Sequence, residues 1–361
     1  MHQIRHLAVR ELLHQWQDLG VQDTIQGGDG VETHAFLALV LLRNLTLSEV
    51  LDFFNPFTLA HLFSVRWLDI KGRAFQRVLA PAIRAGMGQY FTPDVIVKMM
   101  VGIIDPTEKD MILDPFCGSG HFLSSCLEYV RRKYFSTHSL ADIKDYFDFA
   151  YFHLHGIEKS DRMVRIAMTD MLLHDDGHTN IRNTDALLSF DNYPDIRALG
   201  NDDSPQVFDI IVTNPPFGSI ADTTQLVGRF TLGRGKKSLP LEMLGLERSL
   251  QFLKPGGRLG IVLPDAIVAN KSTSWVRDWY HDQAKVVALI SLPQFTFVPF
   301  GANVKPCILF LRKWKLGEDK SQDYPVYLAE VDNIGYDAAL RSTGTDEADM
   351  IVQDFHRNQR W

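Results

Sequence analysis

At 361 residues, with 45% hydrophobic and 22% charged residues, the chain has the composition of an ordinary globular protein and can hold one large domain and a smaller one. No apolar run approaches the roughly 18 residues of a membrane span, and three cysteines without a Cys-x-x-Cys pair argue for a reducing cytoplasm and against a zinc site. The net charge of −7 argues against a uniformly basic nucleic-acid binder, although local basic clusters can still contact phosphates.

Residues 1–85 carry apolar side chains at helical spacing, which predicts a small α-helical domain. The segment Gly88-Gln-Tyr-Phe-Thr-Pro93 follows it. Pro93 is typical of the first position of a helix and Thr92 of an N-cap, so we predict a turn that leads into a helix over residues 95–104. A ligand contact from this turn is compatible with that structure.

From residue 86 to residue 335, short strand-like runs alternate with helical ones, which predicts a parallel sheet with helices on both faces. The predicted strands span residues 111–114, 151–157, 208–213, 258–263, 286–291 and 307–311. Two apolar runs between residues 295 and 311, on either side of Gly301-Ala-Asn303, predict a hairpin that closes the sheet. Residues 336–361 are polar and acidic, and we predict a C-terminal tail there.

A glycine turn ends the first predicted strand, with the sequence Asp114-Pro-Phe-Cys-Gly-Ser-Gly120. Gly118 and Gly120 would let a ligand approach the backbone, and the next helix would present free N–H groups to it. A Gly-x-Gly pair alone fits any nucleotide-binding fold. The third glycine of the dinucleotide fingerprint is absent, because Leu123 stands in its place.

Two further strand ends carry carboxylates. Glu158 could accept both hydroxyls of a ribose. It lies beyond the usual spacing of about 20 residues from the glycine turn. Residues 129–148, which are interpreted as an extended helix and its connection, account for the excess. Asp161 is the alternative acceptor, but it is more typical of the N-cap of a helix over residues 162–173. Asp185 lies in the next predicted turn, where its simplest interpretation is a turn aspartate.

The strand over residues 208–213 ends in Asn214-Pro-Pro-Phe217. Two prolines can neither continue a ladder nor enter a helix interior, so the chain must leave the sheet in a rigid turn. Ligands of open α/β sheets bind at this carboxyl edge. The amide and carbonyl oxygens could accept the N–H groups of a planar base that bears an amino group, and the aromatic ring could stack on its face.

Three local clusters are basic. Those at Arg131-Arg-Lys133 and Arg312-Lys-Trp-Lys315 are interpreted as solvated faces. Gly233-Arg-Gly-Lys-Lys237 is interpreted either as an ordinary surface loop or as a flexible loop that orders on a DNA backbone through Arg234, Lys236 and Lys237.

The three motifs, in this order, resemble the modification subunit of type I restriction-modification systems, a family of N6-adenine DNA methyltransferases; the resemblance covers about residues 72–337. It implies a doubly wound α/β fold of S-adenosylmethionine-dependent methyltransferases with a terminal β-hairpin, preceded by the small helical domain. It also implies site-specific methylation of double-stranded DNA in a hetero-oligomer with a specificity subunit and, where restriction accompanies modification, a restriction subunit. The acidic tail and the amino-terminal helices offer no basic recognition element, so we expect sequence readout from the separate subunit.

The resemblance assigns roles to residues. The Asn214 side-chain oxygen and the Pro215 carbonyl would accept the amino hydrogens of a flipped adenine, Pro216 would complete the turn, and Phe217 would stack on the base. Asp185 would bind the cofactor adenine, with Ala186 and Leu187 against its ring. The residues implied to bind the cofactor are Gln89, Tyr90, Phe91, Thr92, Pro93, Asp94, Asp114, Phe116, Gly118, Ser119, Gly120, Glu158, Lys159, Asp185, Ala186 and Asn214.

Other functions remain open. Methyltransferases of RNA or of protein glutamine use similar Asn-Pro-Pro motifs, although Gly88–Pro93 argues against them. A non-catalytic member of a defence complex would not need the intact Asn214 and Glu158. Pro306-Cys307 resembles the nucleophile dipeptide of cytosine-C5 methyltransferases, but a buried strand cysteine is the simpler interpretation.

No metal is predicted. His153 and His155 alternate along one predicted strand, but no third ligand lies at metal spacing, so packed or exposed histidines are the simpler interpretation.

Overall fold

The computed structural model describes residues 91–135, 140–174, 180–199, 205–320, 323–359 and 361. The chain divides into two units, Met1–Pro81 and Ala82–Trp361, and all described residues belong to the second. The predicted helical domain over residues 1–85 and the predicted cofactor residues Gln89 and Tyr90 lie outside the described residues. No helix in the described ranges is long and apolar enough to cross a membrane.

Helices separate most of the strands as far as Ser291, as predicted, whereas the five strands from Ala284 to Asp346 follow one another without an intervening α-helix in the described residues. The helices are α1 (Asp94–Ile104), α2 (His121–Tyr134), α3 (Leu140–His153), α4 (Asp161–Leu173), α5 (Pro194–Leu199), α6 (Thr224–Val227), α7 (Leu241–Phe252), α8 (Asp265–Ala269), α9 (Ser274–Gln283) and α10 (Ala348–Asn358). The strands are β1 (Ile112–Asp114), β2 (Leu154–Glu158), β3 (Ile181–Asn183), β4 (Phe208–Thr213), β5 (Ile220–Ala221), β6 (Leu239–Pro240), β7 (Leu253–Pro264), β8 (Ala284–Ser291), β9 (Pro306–Lys313), β10 (Tyr327–Glu330), β11 (Ile334–Tyr336) and β12 (Ser342–Asp346).

The central sheet has eight strands in the order β10-β8-β9-β7-β4-β1-β2-β3. Neighbouring strands are parallel except at β9, which is antiparallel to both β7 and β8. Side chains of β4 alternate between two cores: Ile210 and Val212 belong to one and Ile211 to the other. Both faces of the sheet are therefore covered, which explains the continuous apolar run of this strand and confirms the doubly wound α/β prediction.

The strand order reverses between β1 and β4, which lie side by side with Ile112 opposite Ile210. From β1 the chain proceeds outward to β2 and β3, and it then returns to β4 on the other side of β1. Connections that diverge in this way leave a crevice at the carboxyl edge of the sheet. The glycine turn and the Asn214–Phe217 turn both end strands at this crevice.

The strand predicted over residues 151–157 is partly wrong. Helix α3 continues to His153, and β2 begins only at Leu154. His153 and His155 therefore do not share a strand. The His153 ring lies 3.2 Å from the carbonyl oxygen of Asp110, whereas His155 is buried against the ring of Phe208.

The hairpin predicted around Gly301 is wrong in its first arm. Residues 298–300 form a 3-10 turn rather than a strand, and Pro293 and Pro299 explain why, since proline cannot donate to a ladder. β9 pairs in antiparallel fashion with β8, with Ser291 opposite Cys307. The implied antiparallel pair is therefore present, but its first strand is an earlier segment than predicted, and β10 lies beyond β8 at the edge of the sheet.

Residues 336–361 do not form a tail. The hairpin of β11 and β12 leads into α10, which buries Phe355 completely in the core beside α1. The Trp361 indole N–H donates to the carbonyl oxygen of Ile103 at 2.9 Å. Asp349 lies on the exposed face of this amphipathic helix, whereas Asp337, Asp346 and Glu347 lie in or next to the β11–β12 hairpin, so the acidic composition does not mark a tail.

Candidate active site

The ends of β1 and β4 are joined by a buried carboxylate. Asp114 is 1% exposed, and its Oδ1 accepts hydrogen bonds from the Thr213 hydroxyl at 2.6 Å and from the Phe116 N–H at 3.0 Å. Burial raises the pKa of Asp114 to about 7; these two hydrogen bonds oppose the shift, and the nearby Glu158 charge adds to it. Asp114 therefore fixes the glycine turn to the strand that precedes Asn214.

The two glycines of the turn have different structural requirements. Gly118 has a φ of +52°, and a Cβ placed there would point into open space. Gly120 has a φ of +83°, and its Cβ would lie 3.2 Å from the Cβ of Ala167 on α4. Both backbones disfavour L side chains. Only Gly118 borders a cleft, whereas Gly120 lets two helices pack closely.

Glu158 lies at the end of β2, as predicted, and holds the glycine turn. Its Oε2 accepts from the Gly118 N–H at 3.1 Å, and its Oε1 accepts from the Ser160 N–H at 2.7 Å. Burial is the main cause that raises the pKa of Glu158, and the charge of Asp185 adds to it. The two carboxylates therefore lie near each other at the same edge of the sheet.

The competing aspartate, Asp161, is not a helix cap. Ser160 occupies the N-cap of α4, and its hydroxyl accepts from the Met163 N–H at 3.5 Å. Asp161 is the first helical residue and accepts a hydrogen bond from the Asn183 side chain.

Asp185 shapes its own turn. Its Oδ1 accepts from the Leu187 N–H at 2.9 Å, and its Oδ2 lies 2.9 Å from the Lys159 ammonium. The side chains of Ala186 and Leu187 are buried in the second core. They anchor the turn in this core and do not line the cleft beside Gly118.

Asn214 is positioned by the first motif. Its Nδ2 donates to the Thr92 hydroxyl at 2.9 Å, across 122 residues of sequence. Its Oδ1 is buried and accepts no hydrogen bond from any described residue. A buried acceptor without a donor is costly, so this oxygen is poised to accept a hydrogen bond from a bound molecule.

One cleft brings the three motifs together. The predicted residues that line it are Phe91, Thr92, Asp114, Phe116, Gly118, Ser119 and Asn214. Sequence reasoning did not select four other lining residues, Cys117, His121, Phe122 and Met163. The first three lie inside or directly after the glycine turn, and this proximity in the sequence could have indicated that they line the cleft. Met163 is brought in from α4 by tertiary packing, for which the sequence has no local signal.

The predicted cap of α1 is wrong. The helix begins at Asp94, Pro93 occupies its N-cap position, and no side-chain hydrogen bond caps it. The Thr92 hydroxyl is engaged by Asn214 instead. Burial alone would raise the pKa of Asp94, but hydrogen bonds and positive charge from His121 and Lys98 hold it below its usual range.

Phe217 does not present its ring to the cleft. It is 3% exposed, and its ring packs edge-on against Phe297 with centroids 5.8 Å apart. Stacking on a base from this position is therefore not available in the arrangement observed. Pro215 is buried and Pro216 exposed. Sequence reasoning missed Phe297, because it assigned this aromatic segment to a strand of the hairpin.

The three basic clusters differ in structure. Arg131 is buried and donates to Glu128 at 2.8 Å, and Arg312 donates to Glu318 at 2.9 Å. The other basic residues of these clusters include the exposed Arg132, Lys133 and Lys315, in agreement with the predicted solvated faces. In the loop between α6 and β6, Arg234 and Lys237 are exposed. The Lys236 ammonium lies 4.0 Å from the centre of the Trp275 ring, which is a cation–π contact.

Cys307 lies buried on β9, and burial raises its pKa to about 12. A thiol in this state is a poor nucleophile. Within the described ranges, no three His, Cys, Asp or Glu side chains converge as metal ligands would.

Comparison with known proteins agrees with this geometry. The family model of N-6 DNA methylases matches residues 69–359. The chain is 28% identical over 292 residues to the type I restriction enzyme EcoKI methylase subunit of Escherichia coli K12, covering 76% of this chain and 49% of that protein. It is 31% identical over 243 residues to the StySPI methylase subunit of Salmonella potsdam, covering 64% of this chain and 41% of that protein.

Among solved structures, the type I restriction-modification methyltransferase subunit from Streptococcus thermophilus superposes with a TM-score of 0.60 at 18% identity, covering 82% of this chain and 59% of that chain. At this identity the likeness establishes the fold, which is that of S-adenosylmethionine-dependent methyltransferases. The chain spans about half of the length of the curated relatives named above, or less. The matched residues 69–359 contain the Thr92, Gly118 and Asn214 turns and most of the described fold, and the chain therefore belongs to the N-6 DNA methylase family.

Proposed function

We propose that the chain transfers a methyl group from S-adenosylmethionine to the N6 amino group of adenine in double-stranded DNA, as the modification subunit of a type I-like restriction-modification system. Family membership supports the reaction type, and the relatives named above are restriction enzyme methylase subunits. The observation that carries the proposal is the buried Oδ1 of Asn214, which Thr92 orients and which no described donor satisfies.

Two observations support binding of S-adenosylmethionine at the cleft. The open space at Gly118 allows close approach of a ligand to the backbone, and Asn214 lies on the same cleft. Glu158 would accept the ribose hydroxyls on the lone pairs that its backbone hydrogen bonds leave free, and Asp185 would accept the adenine amino group. When bound, S-adenosylmethionine supplies an electrophilic methyl group whose sulfur departs with the bonding electrons.

The protein acts on the base by positioning it. The target adenine must leave the duplex, because its amino group is inaccessible to the cofactor inside the stack. Asn214 Oδ1 and the Pro215 carbonyl would accept the two amino hydrogens, which localises the nitrogen lone pair and directs it along the line of displacement. The bound cofactor would give its methyl group to this nitrogen, its sulfur keeping the electrons of the C–S bond, and the nitrogen held by Asn214 and Pro215 would lose its extra proton to solvent. Fixed dipoles and orientation supply the acceleration, and no protein nucleophile is needed.

DNA would lie along the carboxyl edge of the sheet. Arg234 and Lys237 are exposed on the loop between α6 and β6, and Lys236 is held beside them on Trp275. We propose that these three residues contact phosphates. The reaction would take place in the cytoplasm, where the DNA is.

The partner prediction is tested by reconstitution. The C-terminal segment exposes the acidic side chains of Asp346 and Asp349, which phosphates would repel, so we propose that sequence readout comes from a separate specificity subunit. Purified alone, the chain should bind S-adenosylmethionine but methylate DNA weakly or not at all. Adding the specificity subunit should restore transfer of a labelled methyl group at one defined site.

RNA and a protein substrate are the control acceptors in that assay. Labelling of either in place of DNA would contradict the proposed substrate. Efficient site-specific methylation by the isolated chain would contradict the separate specificity subunit.

Glu158→Ala should weaken binding of S-adenosylhomocysteine by about 1–3 kcal/mol, because a charge-assisted hydrogen bond is lost and the Gly118 N–H is released. Isothermal calorimetry measures the change. Asp161→Ala is the matched control and should leave affinity unchanged, since Asp161 faces Asn183. Unchanged affinity in Glu158→Ala together with a loss in Asp161→Ala would make Asp161 the ribose ligand.

A further inference from the structure

Helix α7 carries two adjacent buried charged residues to which the proposed reaction gives no role. Glu247 is 1% exposed and Arg248 is 3% exposed. Burial of a charge is costly unless hydrogen bonds and neighbouring groups compensate for it. Their contacts extend to two different functional segments.

Arg248 holds the turn that begins with Asp185. Its Nη2 donates to the carbonyl oxygen of Leu188 at 2.9 Å and to that of Leu187 at 3.3 Å. Its guanidinium carbon lies 4.3 Å from the centre of the Phe190 ring. We call residues 185–190 the cofactor turn, since Asp185 is the proposed adenine ligand.

The same two α7 residues hold the base of the segment that carries the cations. The Glu247 carboxylate accepts from the backbone N–H groups of Thr231 at 2.6 Å and Leu232 at 2.8 Å. The Arg248 guanidinium carbon lies 4.9 Å from the centre of the Phe230 ring. We call residues 228–237 the cationic loop, because Arg234, Lys236 and Lys237 lie in it.

Packing alone does not explain an arginine at position 248. Its Nε and Nη1 are buried and donate no hydrogen bond to the described residues, and burial lowers its pKa to about 10. An apolar side chain of similar volume would fill this space without unmatched donors. Such a side chain could not donate a hydrogen bond to the cofactor turn. It would also lack the planar guanidinium group that contacts Phe190 and Phe230.

We propose that Arg248 is a positioning residue that couples the cofactor turn to the cationic loop, so that binding of S-adenosylmethionine orders the loop that contacts DNA. The inference rests on the proposed function, because it takes the cofactor to bind at one segment and phosphates at the other. Coupling between sites is reciprocal, so DNA held by the loop tightens cofactor binding by the same factor.

Trypsin provides the test, because it cleaves after arginine and lysine and the cationic loop contains Arg234, Lys236 and Lys237. Cleavage rates at these positions are measured by mass spectrometry in the full chain, with and without saturating S-adenosylhomocysteine. In the wild type we expect the ligand to slow cleavage about fivefold or more, the lower end of typical coupling. In Arg248→Met, which keeps apolar volume but loses the donors and the planar group, the ratio should fall to near one.

Arg131→Met is the matched control. It removes another buried arginine, whose guanidinium bonds Glu128 on its own helix, and it should keep the wild-type protection ratio. If thermal unfolding shows that Arg248→Met does not fold, Arg248→Lys replaces it in the test. This variant keeps the positive charge and an N–H donor but lacks the planar group, and its protection ratio should lie between the wild-type value and one.

The coupling is refuted if the folded Arg248 variants keep the wild-type ratio. It is also refuted if bound ligand, verified by calorimetry, leaves cleavage of the wild-type loop unchanged. A wild-type chain that binds no S-adenosylhomocysteine would instead contradict the proposed function, and the coupling with it.

Discussion

Asn214→Ala is expected to slow methyl transfer by about 10²-fold or more, because it would remove one of the two proposed preorganised acceptors for the amino hydrogens of the target base. Cofactor affinity should change far less, since most of the proposed cofactor contacts lie on the glycine turn, at Glu158 and at Asp185. Single-turnover transfer in the complex reconstituted with the specificity subunit measures the first quantity, and calorimetry on the chain measures the second.

Thr92 provides a matched pair of variants for the same step. The Thr92 hydroxyl accepts from Asn214 Nδ2 and thereby sets the direction of Oδ1. Thr92→Val removes this acceptor at nearly constant volume and should slow transfer, whereas Thr92→Ser keeps the hydroxyl and should retain most of the rate. Near-normal turnover in Asn214→Ala would remove Asn214 from the catalytic assignment. Equal rates in the two Thr92 variants would show that the amide does not depend on this contact.

Gly118→Val is expected to reduce S-adenosylmethionine binding below detection. A side chain at this position points into the cleft, where the ligand must approach the backbone. The φ of +52° adds backbone strain of about 1–3 kcal/mol for a residue with a branched side chain. Calorimetry with S-adenosylhomocysteine measures the loss of binding, and thermal unfolding measures the strain.

Gly317→Val separates strain from steric blocking of the cleft. Gly317 also has a positive φ, +74°, and a Cβ there would likewise meet open space, but it lies in the turn after β9, outside the lining of the cleft. This variant should lose stability by a similar amount and still bind the ligand. Retained affinity in Gly118→Val would contradict the placement of the cofactor at the glycine turn.

The sequence predicted the elements that depend on short-range chemistry. The run from Phe208 to Thr213 is apolar because both faces of β4 are covered, and the two prolines after Asn214 stop the ladder whatever lies around them. The glycine turn could also be predicted from the sequence, since Gly118 and Gly120 adopt backbone angles that other residues avoid. The order of the three motifs, together with these local rules, was sufficient to identify the fold and the family.

The predictions that were wrong concern contacts between distant residues. Thr92 resembles a helix cap in isolation, but the sheet brings Asn214 within 2.9 Å of it. Phe217 was expected to be open for stacking, but residues 295–300 fold over it and bury its ring against Phe297. The acidic composition of residues 336–361 also favoured a tail over an amphipathic helix, because the core that receives Phe355 includes α1, at the other end of the described chain.

By itself, then, the sequence determined the alternation of strands and helices, the turns at Gly118 and Asn214 and the acidic end of β2, because backbone geometry and burial of apolar runs act within a few residues. Only the tertiary structure decided which polar atoms satisfy one another. It engaged Thr92 with Asn214, left Asn214 Oδ1 without a described partner, and placed Arg248 between the cofactor turn and the cationic loop. Those pairings depend on which strand ends meet at the edge of the sheet, which no local pattern encodes.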